Sequence, residues 1–360
     1  MIALADIVNQ FKNELLDRFS HSLLPSHHKA LRALTQCRTT AIGTAHWKCD
    51  QQQCDKTLRT PLSCGHRHCP RCQNHEVTAW LDRQREKLLP ANYFLLTFTL
   101  PEQLRPVAWR NQRIVYDCLF KAVSDTLKQF CSDEELLGGN AGMTLVLHTH
   151  TRRLDFHPHI HVVMPGGVIA NNGKQWKALN RQYLFNHFAL AEVFRAKFLH
   201  TISKAGLSLP RYVTKKWVAH CKFAGSGEPA LKYLARYLYR GVINESSILS
   251  NNNGVITFQY KNSDTGKIEK RKLPGAVFLL KLFRHVLPRG YQRVRHYGFL
   301  HHNARVVLQR IQLLLHVAVT PRPKKAKVTF HCTCGHGTMI LVSIFRWPSF
   351  DRFSARASPG

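Results

Sequence analysis

Five histidines on two short alternating runs restrict this chain more than any other feature. His148-Thr149-His150 and His157-Pro158-His159-Ile160-His161 flank a polar segment, residues 151–156. Strand-forming residues lie around them, so the pattern predicts an antiparallel hairpin over 144–150 and 157–164. Alternate side chains of an extended chain share a face, so His157, His159 and His161 point one way while Ile160 points into a core.

Alternate positions lie about 6–7 Å apart at the backbone, so two imidazoles can converge on one metal ion; three in a row span about 13 Å and cannot. The third ligand is therefore expected from the neighbouring strand. His148, beside His159 or His161 across the turn, is the first choice, with His150 pairing His157 at the turn end. No Glu occurs within residues 143–167, and Asp155 sits in the turn. The expected metal site is His148, His159 and His161. Imidazole ligands favour Zn²⁺, Co²⁺ or Mn²⁺ over Mg²⁺.

The charge balance points to the partner. Against 21 Asp+Glu the chain carries 52 Lys+Arg, a formal net charge of +31 spread along its whole length. Such an excess suits a polyanion, with nucleic acid ahead of an anionic membrane. No run approaches the ~18 apolar residues of a membrane span, residues 339–345 being far too short. The first residues read as an amphipathic helix containing Asp6, Glu14 and Asp17, unlike a secretion signal. A cytoplasmic, nucleoid-associated location and no membrane partner are expected.

Six of the 11 cysteines lie between Cys37 and Cys72, a density that favours metal over disulfides. Cys49-x4-Cys54 and Cys69-x2-Cys72 form two short ligand loops, the arrangement that lets four thiolates enclose one structural Zn²⁺. Cys37, His46, Cys64 and His68 offer a second site, with His66 and His75 as competitors. Lys48, Lys56, Arg59, Arg67 and Arg71 around these loops suit phosphate contact.

A third feature is Tyr233-Leu234-Ala235-Arg236-Tyr237, on a helix expected from Pro229 to about Arg240 with Ser226 or Gly227 near its cap. Tyr233 and Tyr237 share a helix face, and Arg236 and Arg240 form a basic stripe. Taken alone, such a tyrosine pair usually packs in a core. Beside a metal-binding hairpin, a phenolate attacking phosphorus would give a covalent phosphotyrosine link, with Arg236 balancing charge.

The remaining pattern predicts helices over 1–35, 78–89, 106–130 and 178–204, and from 276 onward with a break at Pro288-Arg289-Gly290. Strands are predicted over 93–100 and 213–221, and a hairpin over 254–260 and 267–272. The expected fold class is α+β: an antiparallel sheet bearing the histidine hairpin, with helices on one face. The expected domains are a helical and zinc-binding module at 1–90, a nuclease domain at 91–320, and a basic linker with a Cys/His tail at 321–360.

These landmarks together resemble a known family, the rolling-circle insertion-sequence transposases with an HUH (His-hydrophobic-His) nuclease domain, of the IS-ninety-one type. The resemblance spans about residues 37–315. It is carried by Arg67-His68-Cys69-Pro70-Arg71-Cys72, Phe98-Thr99-Leu100-Pro101, Pro158-His159-Ile160-His161, Tyr233-Leu234-Ala235-Arg236-Tyr237, Pro288-Arg289-Gly290-Tyr291 and Arg295-His296-Tyr297-Gly298. It implies nicking and joining of single DNA strands at an element's ends, through a 5′-phosphotyrosine. It also implies Mg²⁺ or Mn²⁺ at His159 and His161, and Tyr233 and Tyr237 as nucleophiles. Partners would be single-stranded or hairpin DNA ends and host replication proteins. One departure stands out: family tails often carry Cys-x2-Cys, whereas this tail reads Cys332-Thr333-Cys334-Gly335-His336, a spacing awkward for one tetrahedral ion, and so reads as degenerate. The alternatives are a plasmid replication initiator or relaxase with the same chemistry, and a non-catalytic zinc-dependent DNA-binding protein.

Overall fold

The computed structural model describes residues 2–72, 74–239, 242–262, 265–318 and 329–347; at 74–77 and 236–239 the description covers the backbone only. The chain divides into two compact units. One comprises residues 1–76, 240–286 and 321–360, the other 77–239 and 287–320. The sequence reading laid the domains out as three consecutive blocks; here residues 240–286 and 321–360 return to the N-terminal unit instead.

The second unit is built on a five-stranded sheet with the spatial order Val294–Tyr297, Met143–His150, Phe156–Pro165, Tyr93–Thr99, Val218–Phe223, every neighbouring pair antiparallel. Alternation along these strands sorts the side chains onto two faces. Phe94, Leu96, Phe98, Leu145, Leu147, Ile160 and Val162 share one face and are fully buried with residues of the helices Gln112–Ser132 and His187–Lys204. The second helix shows why: Leu190, Phe194, Phe198 and Ile202 recur every four residues and form one apolar ridge. Its first turn is capped by the Asn186 side chain, which accepts from the Phe188 and Ala189 amides at 2.9 and 3.3 Å.

The opposite face carries Tyr93, Leu95, Val146 and Val163, covered by Ala230, Leu231, Leu234 and Ala235 of the helix Gly227–Tyr239. Helices therefore lie on both faces, not on one as the sequence suggested. The reason is composition: the face bearing histidines at one end has apolar residues at the other, and these must be covered.

Three expected elements differ. The helix expected over 178–204 begins at His187, and Trp176–Ala178 is a strand in a small separate sheet. The segment read as helical after Pro288 supplies the edge strand Val294–Tyr297 before the helix Arg305–Leu314. The strand expected at 213–221 is shifted to Val218–Phe223.

In the first unit, helices Leu4–Phe19 and Pro25–Gln36 precede a four-stranded sheet ordered Phe330–His331, Thr338–Arg346, Gly43–Cys49, Thr57–Pro61. The tail strand thus pairs with the first strand, from Gly43 opposite Arg346 to Cys49 opposite Met339. A three-stranded meander, Ile248–Asn252, Val255–Lys261 and Ile268–Pro274, contains the expected hairpin and feeds the buried helix Gly275–Phe283. Among the described residues no helix is long and apolar enough to cross a membrane.

Candidate active site and metal centres

The histidine site follows from strand register. His148 stands opposite His159, and Val146 opposite His161, so all three imidazoles project from the face that the Gly227–Tyr239 helix also covers. A register irregularity between His148 and His150 places His150 opposite Phe156, not opposite His157 as expected. One ring nitrogen from each of His148, His159 and His161 falls within 4.8 Å of the others. The His159 and His161 Nε2 atoms are 3.2 Å apart.

Neighbouring groups fix how these rings point. His159 Nδ1–H donates to the His157 carbonyl at 2.7 Å, which leaves its Nε2 lone pair directed at the cluster. His161 Nδ1 lies 3.0 Å from the Thr97 hydroxyl, on the residue directly opposite in the next strand, and the same orientation results. Burial, reinforced by the neighbouring histidines and by Arg293, pushes His148 well below the usual imidazole range. Burial first, and then His161, does the same to His159. His161 falls to about 4 through burial. All three are neutral near pH 7 and available as ligands.

His157 belongs to a different arrangement. Arg105 Nη2–H donates to its Nδ1 at 2.9 Å, and its ring stands 5.2 Å from the His159 ring without joining the group of three. Arg293 anchors its Nε–H on the Leu147 carbonyl at 3.0 Å, and its charge is close enough to depress His148 and His159.

The tyrosine helix reaches this cluster. The Tyr233 ring stands 6.0 Å from the His161 ring, nearly perpendicular to it, while Leu234 and Ala235 beside it are buried in the sheet face. Pro229 lies in the first turn of the helix. The side chains of Arg236 and Tyr237 lie outside the described residues, as does all of Arg240.

The cysteines group differently from the pairs read in the sequence. Cys37, Cys64, Cys69 and Cys72 form one cluster; Cys49, Cys54, Cys332 and Cys334 form another. Cys49, Cys54, Cys69 and Cys72 do not come together, because the strand ending at Cys49 pairs with the tail strand and turns its ligand loop toward the tail. The Cys64–Cys72 loop instead folds against Cys37 at the end of the Pro25–Gln36 helix, with Sγ distances of 3.5 Å for Cys37–Cys72 and 3.6 Å for Cys64–Cys72. His46 and His68 join neither cluster. His46 lies on the first strand with its Nε2 3.3 Å from the Thr44 hydroxyl, and the His68 ring neighbours His66.

Four contributors went unread in the sequence. Thr97 and Arg293 are set by register and by an edge strand that basic residues disguised. Cys332 and Cys334 were visible, but their spacing argued against them.

Two family models match the chain: one described as "Putative transposase", over residues 142–306, and one as "Transposase zinc-binding domain", over residues 7–100. The protein named "Putative transposase y4qJ" from Sinorhizobium fredii is 33% identical over 364 residues, covering 90% of this chain and 91% of that protein. The "Transposase for insertion sequence element IS801" of Pseudomonas savastanoi pv. phaseolicola is 26% identical over 281 residues, covering 73% of this chain and 68% of its own length. Among solved structures, the conjugative relaxase TrwC in complex with OriT DNA aligns over 63% of this chain and 73% of its own, at 18% identity. Its TM-score of 0.28 makes that likeness too loose to carry weight. With a zinc-binding domain ahead of a transposase domain, and a relative matched almost end to end, the chain belongs to the insertion-sequence transposases of the IS-ninety-one type.

Proposed function

We propose that this transposase cuts and rejoins single DNA strands by tyrosine attack at the histidine cluster. The observation that carries the reading is the 6.0 Å approach of the Tyr233 ring to His161, beside three ring nitrogens within 4.8 Å of one another. Three neutral imidazoles with two Nδ1 atoms already engaged suit a divalent cation held by His148, His159 and His161. When bound, the ion, Mn²⁺ or Mg²⁺, would polarise and orient the scissile phosphate.

The chain's own residues supply the rest. The Tyr233 phenol oxygen attacks phosphorus, the bond from phosphorus to the 3′ oxygen breaks, and the 5′ end becomes linked to the tyrosine. The phenol proton is lost, and the released 3′ oxygen takes up a proton. One phosphodiester is exchanged for another, so attack by a free 3′ hydroxyl rejoins a strand without a further energy source. Arg293 supplies positive charge beside the cluster, and Arg236 follows Tyr233 by three residues on the same helix. Tyr237, four residues after Tyr233, is the candidate for a second strand transfer. Cys37, Cys64, Cys69 and Cys72 hold a structural Zn²⁺ that shapes the N-terminal module, and the +31 charge binds the DNA strand.

The test is incubation with labelled single-stranded element ends and Mn²⁺. A nick with a free 3′ hydroxyl and a protein-linked 5′ end is expected, and both disappear in His159→Ala and in His161→Ala. Salt-sensitive binding with no cleavage at any metal concentration would leave only a binding protein.

A further inference from the structure

We infer that Cys49, Cys54, Cys332 and Cys334 form a second, composite zinc site that locks the two ends of the N-terminal unit together. The matched zinc-binding domain ends at residue 100, so half of these ligands lie far outside it. The Cys54 and Cys332 Sγ atoms are 3.8 Å apart, and the Cys49 and Cys334 Sγ atoms 3.9 Å. A tetrahedron of thiolates with Zn–S bonds of about 2.3 Å has edges of about 3.8 Å. These spacings are far beyond a disulfide bond of about 2.05 Å.

The backbone explains how Cys-x-Cys can serve. The Gly335 amide donates to the Cys332 carbonyl at 3.1 Å, and the Cys332 amide to the Gly337 carbonyl at 2.8 Å, closing a tight reverse turn. Gly335 takes φ +83°, a conformation that other residues rarely adopt. The turn brings Cys332 to Cys54 and Cys334 to Cys49, so neighbouring thiols reach the cluster from opposite sides of one loop.

Four further features are built around the cluster. A Cβ at Gly337 would lie 2.4 Å from the Cys49 sulfur, so a side chain there would displace a member of the cluster. Asp50 and Thr338 hold the two loops in register: the Asp50 amide donates to the Thr338 carbonyl at 3.0 Å, and the Thr338 amide to the Asp50 carboxylate at 2.8 Å. Lys56 Nζ donates to the Thr333 hydroxyl at 3.0 Å across the same junction. Cys49, Cys332 and Met339 are buried at the centre, with Trp47 packed against them.

The consequence is topological. Cys54 and Cys332 are 278 residues apart, so the ion closes a loop that contains the whole nuclease unit. The tail is then a working half of the zinc-binding module, and its Cys-x-Cys is a ligand pair rather than a decayed knuckle.

The test uses the full-length protein purified with zinc. Because the histidine cluster can also take up zinc, His159→Ala and His161→Ala are present throughout the metal analysis: about two zinc ions per chain are expected, falling to about one when Cys332→Ser and Cys334→Ser are added, and again to about one when Cys37→Ser and Cys72→Ser are added instead. Cobalt exchanged into the Cys37→Ser, Cys72→Ser protein should show the thiolate charge-transfer bands of a tetrahedral sulfur site. Differential alkylation of the unmutated holoprotein guards against variants that fail to fold. Cys49, Cys54, Cys332 and Cys334 should be protected together and become reactive together when a chelator is added. Two zinc ions retained in the tail variant, or Cys332 and Cys334 alkylated freely before chelation, would overturn the proposal.

Discussion

The histidines that converge in this protein owe their orientation to residues with no obvious chemistry of their own. Thr97 sits opposite His161 in the neighbouring strand and engages its Nδ1 at 3.0 Å. Replacing Thr97 with Val removes that partner at nearly constant volume, so Mn²⁺ affinity should fall by about 10–100-fold. Calorimetric titration checks this, and unchanged affinity would show that the ring needs no such anchor. The same burial that keeps the imidazoles neutral makes the metal-free protein acid-sensitive. Burial lowers His161 from the ordinary imidazole value of 6.5 to about 4, and His148 and His159 are lowered as well. A depressed folded value means that the unfolded chain binds protons first. The stability from keeping these rings neutral is therefore complete above about pH 6.5 and is lost as pH falls toward 4. Denaturant unfolding of the metal-free protein should show it, with His161 alone contributing on the order of 3 kcal/mol. A flat profile between pH 7 and 4 would contradict the burial argument.

The elements that carry this site were legible to different degrees, for physical reasons. The hairpin was readable because histidines alternate along both strands and the turn is polar; it placed His148 beside His159 or His161, and the register selects His159. The tyrosine helix was readable because Ala230, Leu231, Leu234 and Ala235 form an apolar stripe after Pro229. Leu234 is fully buried against the sheet, one residue from Tyr233. Leu234→Ala should cost about 2–5 kcal/mol in chemical denaturation, and a cost below about 1 kcal/mol would mean that the helix is not anchored there. The edge strand Val294–Tyr297 was hidden because its residues look polar and basic. Arg295 spends its charge on Asp117 and stacks over the Phe120 ring at 4.3 Å, while the Tyr291 hydroxyl donates to Asp117 at 3.0 Å. Cysteine spacing was readable as metal chemistry but not as connectivity, because short loops say which thiols are near in sequence and nothing about which loops meet.

At the scale of the molecule, the chain forms two compact units, each assembled from segments distant in sequence. Its charge gives a general expectation: with +31 overall, affinity for single-stranded DNA should fall steeply with salt. An increase from about 50 to 200 mM should weaken binding by at least about tenfold, measured by fluorescence anisotropy, and a salt-independent affinity would shift recognition away from phosphate contacts. The central claim concerns one oxygen atom. Trypsin cuts after Lys232, Arg236 and Arg240, so Tyr233 and Tyr237 fall in separate peptides and can be told apart by mass. The decisive measurement is mass spectrometry of the covalent adduct formed with a single-stranded element end and Mn²⁺. The account predicts a nucleotide remnant on the peptide beginning at Tyr233, absent from the Tyr233→Phe protein. An adduct found only outside the Gly227–Tyr239 helix, or one fully retained in Tyr233→Phe, would contradict it.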